Sequence, residues 1–199
     1  MHRSPLRTFI GIAMLLASWA GLATSAQAAA IASGETKVGQ FSVSSHTVSW
    51  DFQADSANTH VVITTSEQNF GVQPQIYLYF NDPTLGLVLE NSRTGTAITQ
   101  RLDHTLLQTG KYTVSVVDYG ENDTGAFSIA LALMPGDATS ASDADGGTIA
   151  SGSSVSGTFD YQADTDLFTF SGQKDDRVII TTADLGYNCQ PEIYLYPPS

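Results

Sequence analysis

An internal repeat, whose second copy is shorter than the first, constrains the fold of this 199-residue chain more than any other feature. The block IASG at 31–34 recurs at 149–152, an offset of 118 residues. Further matching blocks follow in the same order at offsets of 118 and then 117 residues, among them VVITT with VIITT and QPQIYLY with QPEIYLY. Such a fixed order indicates a repeated structural unit. We therefore divide the mature chain into a first unit over 31–136, a linker over 137–148 and a partial second unit over 149–199.

Apolar and polar residues alternate along the first unit. Ile76, Leu78 and Phe80 occupy one face of a strand, and Tyr77 and Tyr79 occupy the other. This period of two places one strand face on a core and the other in water. The sequence predicts eight strands in the first unit, at 37–43, 46–53, 60–66, 73–80, 86–90, 97–102, 111–118 and 125–133. Eight short strands separated by turns predict an all-β fold, either an antiparallel β-sandwich or a jelly roll.

The second unit holds only four of the predicted strands. A piece of roughly 50 residues buries too little apolar surface to be stable as a complete unit is. Three explanations are open at this point. The sequence is a fragment of a longer protein, the gene is naturally short, or the half-sandwich is completed by a partner strand or a second copy at its unpaired edges.

The N-terminus has the pattern of a secretory signal peptide. Arg3 and Arg7 precede an uncharged apolar run over 9–23, and the small-x-small site AQA ends at Ala28. We predict cleavage of residues 1–28 and a secreted or periplasmic protein. The apolar run is shorter than the roughly 20 residues that a spanning helix needs. We therefore expect no integral membrane segment after signal cleavage.

The mature chain is strongly acidic. The full sequence has 8 basic and 20 acidic residues and a net charge of −12. Removal of residues 1–28 takes away two arginines and no acidic residue, which lowers the charge to −14. Such a balance argues against nucleic acid and anionic membranes as partners, because both need basic patches. It favours either simple solubility or cation binding by clustered carboxylates.

The sequence indicates no catalytic residues. It lacks both the G-x-S-x-G elbow and the H-E-x-x-H zinc motif. The histidines of the mature chain, His46, His60 and His104, have no further metal ligand fixed by spacing. Cys189 is the single cysteine, so the fold forms without an intramolecular disulfide, and its match to Val72 predicts an apolar packing position. We predict that residues 1–199 are not an enzyme.

Clustered carboxylates are the candidate metal ligands. Calcium takes six to eight oxygen ligands, often from closely spaced Asp residues in a loop. The two candidate clusters are Asp160, Asp164 and Asp166 before a predicted strand, and Asp118, Glu121 and Asp123 in a tight loop. A further pair in the linker, Asp143 and Asp145, begins like a calcium loop but lacks its distal ligands. Turn formation by Asp side chains is the alternative for all three.

Two tyrosine pairs are candidate ligand-binding residues. Tyr77 and Tyr79 recur as Tyr194 and Tyr196, on the strand face opposite the apolar residues. Exposed tyrosines on a strand can serve as a stacking platform for a protein or polysaccharide surface. The alternative is that both faces of a central strand are covered and the tyrosines pack.

Several stretches of the sequence resemble one bacterial family. GTFDYQADTDLFTF over 157–170, then DDRVII over 175–180 and IYLY over 193–196, are similar to the pre-peptidase C-terminal domain. GKYTVSV over 110–116 resembles a later strand of the same family. This domain is a β-sandwich or jelly-roll module appended to secreted proteases and other exported enzymes. The resemblance covers the first unit loosely and the second over the part present.

The resemblance implies a non-catalytic accessory role, either in secretion or in attachment to a substrate surface. Some relatives bind calcium and extended protein or polysaccharide substrates. The first unit departs from the pattern, because His46 and Val48 stand where the second unit has Asp164 and Asp166. Two alternatives are an N-terminal fragment of a secreted peptidase or other hydrolase, whose catalytic domain lies beyond Ser199, and a calcium-dependent adhesin-like envelope protein.

Overall fold

The computed structural model of the protein describes residues 28–68, 71–186 and 189–197. The predicted signal peptide, apart from Ala28, lies outside the described residues. Every regular element within them is a strand, and this part of the chain contains no helix suited to crossing a bilayer. The strands are β1 (Ala29–Ala30), β2 (Glu35–Phe41), β3 (Thr47–Ala54), β4 (Thr59–Glu67), β5 (Pro74–Asp82), β6 (Gly86–Arg93), β7 (Thr99–Leu106), β8 (Gly110–Asp118), β9 (Gly125–Met134), β10 (Gly146–Thr148) and β11 (Leu167–Thr169).

Strands β2 to β9 form two antiparallel sheets around one core. One sheet has the order β3-β8-β5-β6, with β1 added parallel to β3, and the other has the order β2-β9-β4-β7. These are the strand orders of an eight-stranded jelly roll. The structure confirms the predicted all-β sandwich, and each of the eight predicted strands overlaps an observed one.

The inward residues of both sheets fill a single apolar core. The rings of Phe41 and Phe127 stack with centroids 4.4 Å apart, and Trp50 meets Phe127 edge-on at 5.9 Å. Tyr112 is also fully buried, and its hydroxyl donates a hydrogen bond of 3.0 Å to the carbonyl of Gln108. A buried phenol needs such a partner. The alternation read from the sequence therefore identifies the core.

Strand pairing joins the first half of the first unit, β2 to β5, to its second half, β6 to β9. Strand β2 pairs with β9, β3 with β8, β4 with β7 and β9, and β5 with β6 and β8. None of β2 to β5 is hydrogen-bonded to another member of that group. The first half of the unit consequently depends on the second half for every one of its antiparallel partners.

The second unit repeats the small parallel pairing that opens the first. Ala29 faces Trp50 in the β1–β3 pair, and Gly147 faces Phe168 in the β10–β11 pair, which is the same register at an offset of 118 residues. The next backbone hydrogen bond is repeated too, from Ile31 to Asp51 at 3.0 Å and from Ile149 to Thr169 at 2.9 Å. This pairing places the beginning of each unit two to three residues before the position predicted from the repeat.

Only one of the four strands predicted for the second unit is regular. That strand is β11, and the other described residues between 170 and 197 form no ladder. The difference has a topological cause. The predicted strands correspond to β2 to β5, whose antiparallel partners in the first unit are β6 to β9, and residues 149–197 contain no counterpart of those partners. A β-strand without a neighbour leaves its backbone groups unpaired, so the ladder does not form.

Part of the second unit lies on the outer face of the β2-β9-β4-β7 sheet. Ala163 is 1% exposed, and its amide donates a 3.2 Å hydrogen bond to the hydroxyl of Ser128 on β9. The Thr36 hydroxyl on β2 donates to Asp164 at 2.7 Å. These bonds hold the loop before β11 against the complete sandwich and thereby position the acidic residues that follow.

Candidate metal centre

Three aspartates from the linker and the second unit meet at one point. One carboxylate oxygen from each of Asp143, Asp145 and Asp166 lies within 4.8 Å of the other two. All three side chains are half-buried. Asp166 precedes β11, whereas Asp143 and Asp145 precede β10, so the parallel β10–β11 pair brings the two acidic segments together.

The electrostatics of this cluster oppose its ionisation. Burial and the nearby carboxylates of Asp164, Asp143 and Asp145 raise the pKa of Asp166 from 3.8 to about 7. Burial and Asp164 likewise raise the pKa of Asp143. Asp166 Oδ1 is buried and accepts no hydrogen bond from any described residue. Bringing carboxylates together at neutral pH costs free energy unless a cation compensates.

Backbone amides fix the outer members of the cluster. Asp145 accepts a hydrogen bond of 2.7 Å from the amide of Thr158, and Asp143 accepts one of 3.2 Å from the amide of Asp145. Asp164 accepts a bond of 2.8 Å from the amide of Asp160. These bonds orient the carboxylates before any ligand arrives, and carboxylate oxygens are the donors that calcium prefers.

A glycine lets the chain pass close to the cluster. A Cβ atom at Gly157 would overlap Asp166 Oδ2, so any side chain here would displace that carboxylate. The matching glycine of the first unit, Gly39, is equally confined, but by the rings of Phe127 and Trp50. The same repeated glycine thus serves an apolar core in one unit and an acidic cluster in the other.

The structure regroups the aspartates that the sequence singled out. Asp166 joins Asp143 and Asp145 of the linker, and Asp164 lies beside them, whereas Asp160 contributes its amide to Asp164. The sequence reading treated the two segments separately and considered the linker pair weak. The parallel β10–β11 pair, which repeats the β1–β3 pair of the first unit, brings the two segments together, and residue spacing alone does not predict it.

The loop over 118–123 is built around Asp118. This carboxylate is 1% exposed and accepts hydrogen bonds from the backbone amides of Gln73, Asn122 and Asp123 at 3.0 to 3.2 Å. Its two oxygens therefore stabilise the turn, which is the alternative that Asp side chains in turns offer. Glu121 has a positive φ of 52° and is exposed. Calcium binding at Asp118, Glu121 and Asp123 stays a prediction.

The two tyrosine pairs lie in different surroundings. Tyr77 and Tyr79 are half-buried on the outer face of β5, and Tyr79 faces Leu89 of β6, which is exposed. Tyr77 donates a hydrogen bond of 3.0 Å to Gln75. These side chains and the exposed Leu87 form a small apolar and aromatic surface at the edge of the sheet.

Tyr194 and Tyr196 instead contact the first unit. The hydroxyl of Tyr196 donates a hydrogen bond of 2.6 Å to Asp103 on β7, and its ring lies 4.7 Å from that of His60. The guanidinium of Arg101 lies over the ring of Tyr194 at 3.8 Å, a cation–π contact. Burial and the bond to Asp103 raise the pKa of Tyr196 to about 12. This pair is a docking contact within the chain.

Comparisons with known proteins add distant structural likenesses, of which two are described. No family model and no curated protein matches the chain. The pre-peptidase C-terminal domain of the collagenase from Bacillus anthracis is 19% identical over 53% of this chain and 94% of that domain, with a TM-score of 0.44. The periplasmic inhibitor of g-type lysozyme from Aeromonas hydrophila is 13% identical over 54% of this chain and 96% of its own, with a TM-score of 0.41.

The first of these neighbours is a domain of the family that the sequence motifs resemble. Whether this chain contains such a domain, and in how many copies, stays a prediction, and so does its role.

Proposed function

We propose that the chain is an exported, non-catalytic accessory module in which calcium holds the start of the second unit to the linker that follows the complete first unit. Two observations carry this proposal: the convergence of Asp143, Asp145 and Asp166, and the buried Oδ1 of Asp166, which has no hydrogen-bond partner among the described residues. Calcium would satisfy that oxygen and neutralise charge that otherwise raises the pKa of Asp166. Its role would be to fix the orientation of the second unit.

The proposed site has three protein carboxylates in reach of one another, with Asp164 beside them. Calcium completes six to eight ligands with carbonyl oxygens and water, and Mg²⁺ demands a stricter octahedral geometry. A half-buried site of this kind resembles those of extracellular modules, for which dissociation constants are on the order of 10⁻⁴–10⁻³ M. We therefore expect about half to about nine-tenths of the sites to be occupied at about 1 mM calcium.

Isothermal titration of chelator-treated protein with CaCl₂ tests the site. We expect one site per chain, and at least tenfold weaker binding in Asp166→Asn and in Asp145→Asn. The matched control is Asp55→Asn, an exposed aspartate on the first unit that carries the same change of charge. Unchanged titration in both cluster variants, or no heat and no change of melting temperature at millimolar calcium, contradicts the proposal.

The attachment role is proposed for the outer surface of β5 and β6. Tyr77 and Tyr79 offer aromatic faces, and Leu87 and Leu89 beside them are more than half exposed. Aromatic and apolar residues on one exposed strand edge are suited to an extended protein or polysaccharide. Sedimentation with insoluble polysaccharide and with insoluble fibrous protein tests this role. We expect the double variant Tyr77→Ala, Tyr79→Ala to lose retention, and equal retention would remove this surface from the proposal.

Export is the remaining part of the proposal. It rests on the signal-peptide pattern over 1–28. Expression of the full chain in a Gram-negative host, followed by intact mass measurement of the periplasmic fraction, tests it. We expect a product that begins at Ala29, and an uncleaved cytoplasmic product would contradict it.

A further inference from the structure

We propose that residues 149–197 are a strand acceptor: the first half of a second jelly roll, which is completed by a polypeptide segment carrying two strands of the β8 and β9 type. The parallel pair β10–β11 already reproduces the opening of the first unit in the same register. The strands that would follow it are present as sequence but have no antiparallel partners. This inference is independent of calcium binding and attachment.

Exposure of the repeated apolar residues defines the acceptor surface. Residues that are buried in the first unit have exposed counterparts in the second. The pairs are Phe41 at 0% with Phe159 at 44%, Ile63 at 0% with Ile180 at 44%, and Leu78 at 0% with Leu195 at 62%. Large apolar surfaces of this kind mark sites of association in soluble proteins. The first unit shows what covers them, because the same residues are covered there by β8 and β9 and the strands beside them.

The topology specifies the smallest segment that can complete the second unit. Strand β8 lies between β3 and β5 in one sheet, and β9 lies between β2 and β4 in the other. Two successive strands, one entering each sheet, would therefore pair all four strands of the acceptor. In the first unit these strands alternate as Gly-x-Tyr-x-Val-x-Val and Phe-x-Ile-x-Leu-x-Leu. Alternate apolar residues on both strands are thus the chemistry that the acceptor recognises.

A second copy of residues 1–199 does not supply that segment. Each copy has one β8 and one β9, and its own first unit uses them. The second unit of another copy offers only strands of the β2 to β5 type, which do not pair with one another in the first unit. The completing segment is therefore an additional one.

The contact of the second unit with the first leaves the acceptor face free. Tyr194 and Tyr196 touch Arg101 and Asp103, whereas Ile193 and Leu195 alternate with them and are exposed. This last repeated segment thus contacts the first sandwich through Tyr196 and through the ring of Tyr194 beneath Arg101, while Ile193 and Leu195 remain exposed.

Cys189 provides a direct measurement of completion. It is exposed, whereas its counterpart Val72 is fully buried in the first unit. A completed second unit would bury the thiol, and the chain has no other cysteine. The rate of labelling by a thiol reagent therefore reports whether the second jelly roll has closed. The variant Val72→Cys in a Cys189→Ser background calibrates the rate that a closed unit gives.

The probe is a second copy of residues 108–135 joined after Ser199 by a short Gly/Ser linker. A short linker suffices, because the end of β5 and the beginning of β8 are neighbours, with Phe80 facing Tyr112. We expect Cys189 to be labelled at least tenfold more slowly than in the original chain, and the strand signal in circular dichroism to increase. The matched control carries Ser at the positions of Phe127, Ile129 and Leu131 in the appended copy only, and we expect rapid labelling.

A second measurement tests the proposal on the original chain, in case the extended chain does not fold. Residues 108–135 fused to a soluble carrier are added to the original full-length chain, and we expect capture together with protection of Cys189. Leu195→Asp in the full chain should abolish both effects. Rapid labelling in the soluble extended chain, or capture without protection of Cys189, overturns the proposal.

Discussion

The two units have matching strand sequences, but these residues form buried ladders in the first unit and are exposed and mostly unpaired in the second. In the first unit Leu78 is buried in a ladder between β6 and β8, whereas in the second its counterpart Leu195 is exposed and belongs to no ladder. The residues themselves are the same, so local sequence does not account for the difference. The difference lies in the strands available to pair with them. A strand-like sequence forms a ladder only where the topology supplies neighbouring strands to pair with it.

At one loop the difference in burial is reversed, and the residue of the second unit is the buried one. Ala163 of the second unit is buried against Ser128, whereas the matching Ser45 of the first unit is exposed. The second unit has thus acquired a contact that the first one lacks. This contact holds Asp164 and Asp166 near the linker, where the first unit has His46 and Val48 at the matching positions.

The largest expected effect comes from the matched leucines. We predict that Leu78→Ala lowers the free energy of unfolding by about 2–5 kcal/mol, because it leaves a cavity in the core. Leu195→Ala should change it by less than about 0.5 kcal/mol, as for other exposed positions. Urea denaturation followed by circular dichroism measures both variants, and the fluorescence of Trp50 reports separately on the core of the first unit. Similar losses in the two variants would show that the second unit is already closed.

The contact of Ala163 with the first unit should give the next largest effect. Here the buried residue belongs to the second unit and its exposed counterpart to the first. Ala163→Glu places a carboxylate where a small side chain is covered, and we expect a loss of roughly 1–3 kcal/mol in the stability of this contact. The loss would appear as faster proteolysis of the second unit at the same protease concentration. Ser45→Glu is the matched control and should leave proteolysis unchanged. Equal rates in both variants would mean that the loop does not hold the second unit.

A pH dependence distinguishes the two units further. The pKa of Asp166 is raised from 3.8 to about 7, so between these values the folded state binds more protons than the unfolded state. In chelator, stability should therefore fall as pH rises from about 4 to about 7. We expect a loss of roughly 1–2 kcal/mol after allowance for solvent screening at this half-exposed group. Thermal melting at several pH values across this range, followed by the NMR amide signals of the second unit, measures this loss of stability.

Calcium should reverse that slope. Metal binding requires ionised carboxylates, so the stabilisation by calcium increases with pH over the same range. Asp166→Asn removes the titrating group, and its melting temperature in chelator should be flatter across the range. A wild-type slope that persists in this variant would assign the pH dependence to other groups.

The smallest expected effect concerns the docked tyrosines. Tyr196→Phe removes the hydroxyl that bonds Asp103, and we expect a loss of about 0.5–1.5 kcal/mol in the docking of the last repeated strand. Tyr194→Phe keeps the ring beneath Arg101 and should have no measurable effect. Hydrogen exchange of residues 189–197 measures both variants. Exchange that is unchanged in Tyr196→Phe would show that this hydroxyl does not hold the strand.

The first unit could be predicted from the sequence because its signals are local. Alternation such as that of Ile76 and Leu78 fixes which face is buried, and turns rich in Gly, Asn and Asp separate the strands. The repeat likewise identified the second unit. What the sequence could not state is that β2 to β5 have no partners among themselves. Strands such as β2 and β3 pair with residues 56 to 96 positions away, and pairing at such distances produces no periodic pattern in the sequence. The four strands expected in the second unit were therefore too many.

The candidate site was predictable only in part for the same reason. Asp164 and Asp166 stood out through their spacing, and so did Asp143 and Asp145. Their meeting depends on the parallel β10–β11 pair, a long-range contact. Asp118 shows the opposite situation. Its carboxylate accepts hydrogen bonds from backbone amides of its own loop, so its role there is local.

The separation of partners between the two halves of the jelly roll also dictates the order in which the chain can fold. A chain that emerges N-terminus first presents β2 to β5 before any of their antiparallel partners, and β2 meets β9 only after Met134 has appeared. Contacts so distant in sequence form slowly. The emerging half therefore has none of its antiparallel partners while the rest of the unit is being synthesised. If the chain is exported as proposed, this delay leaves the first unit unfolded until nearly all of it has crossed the membrane.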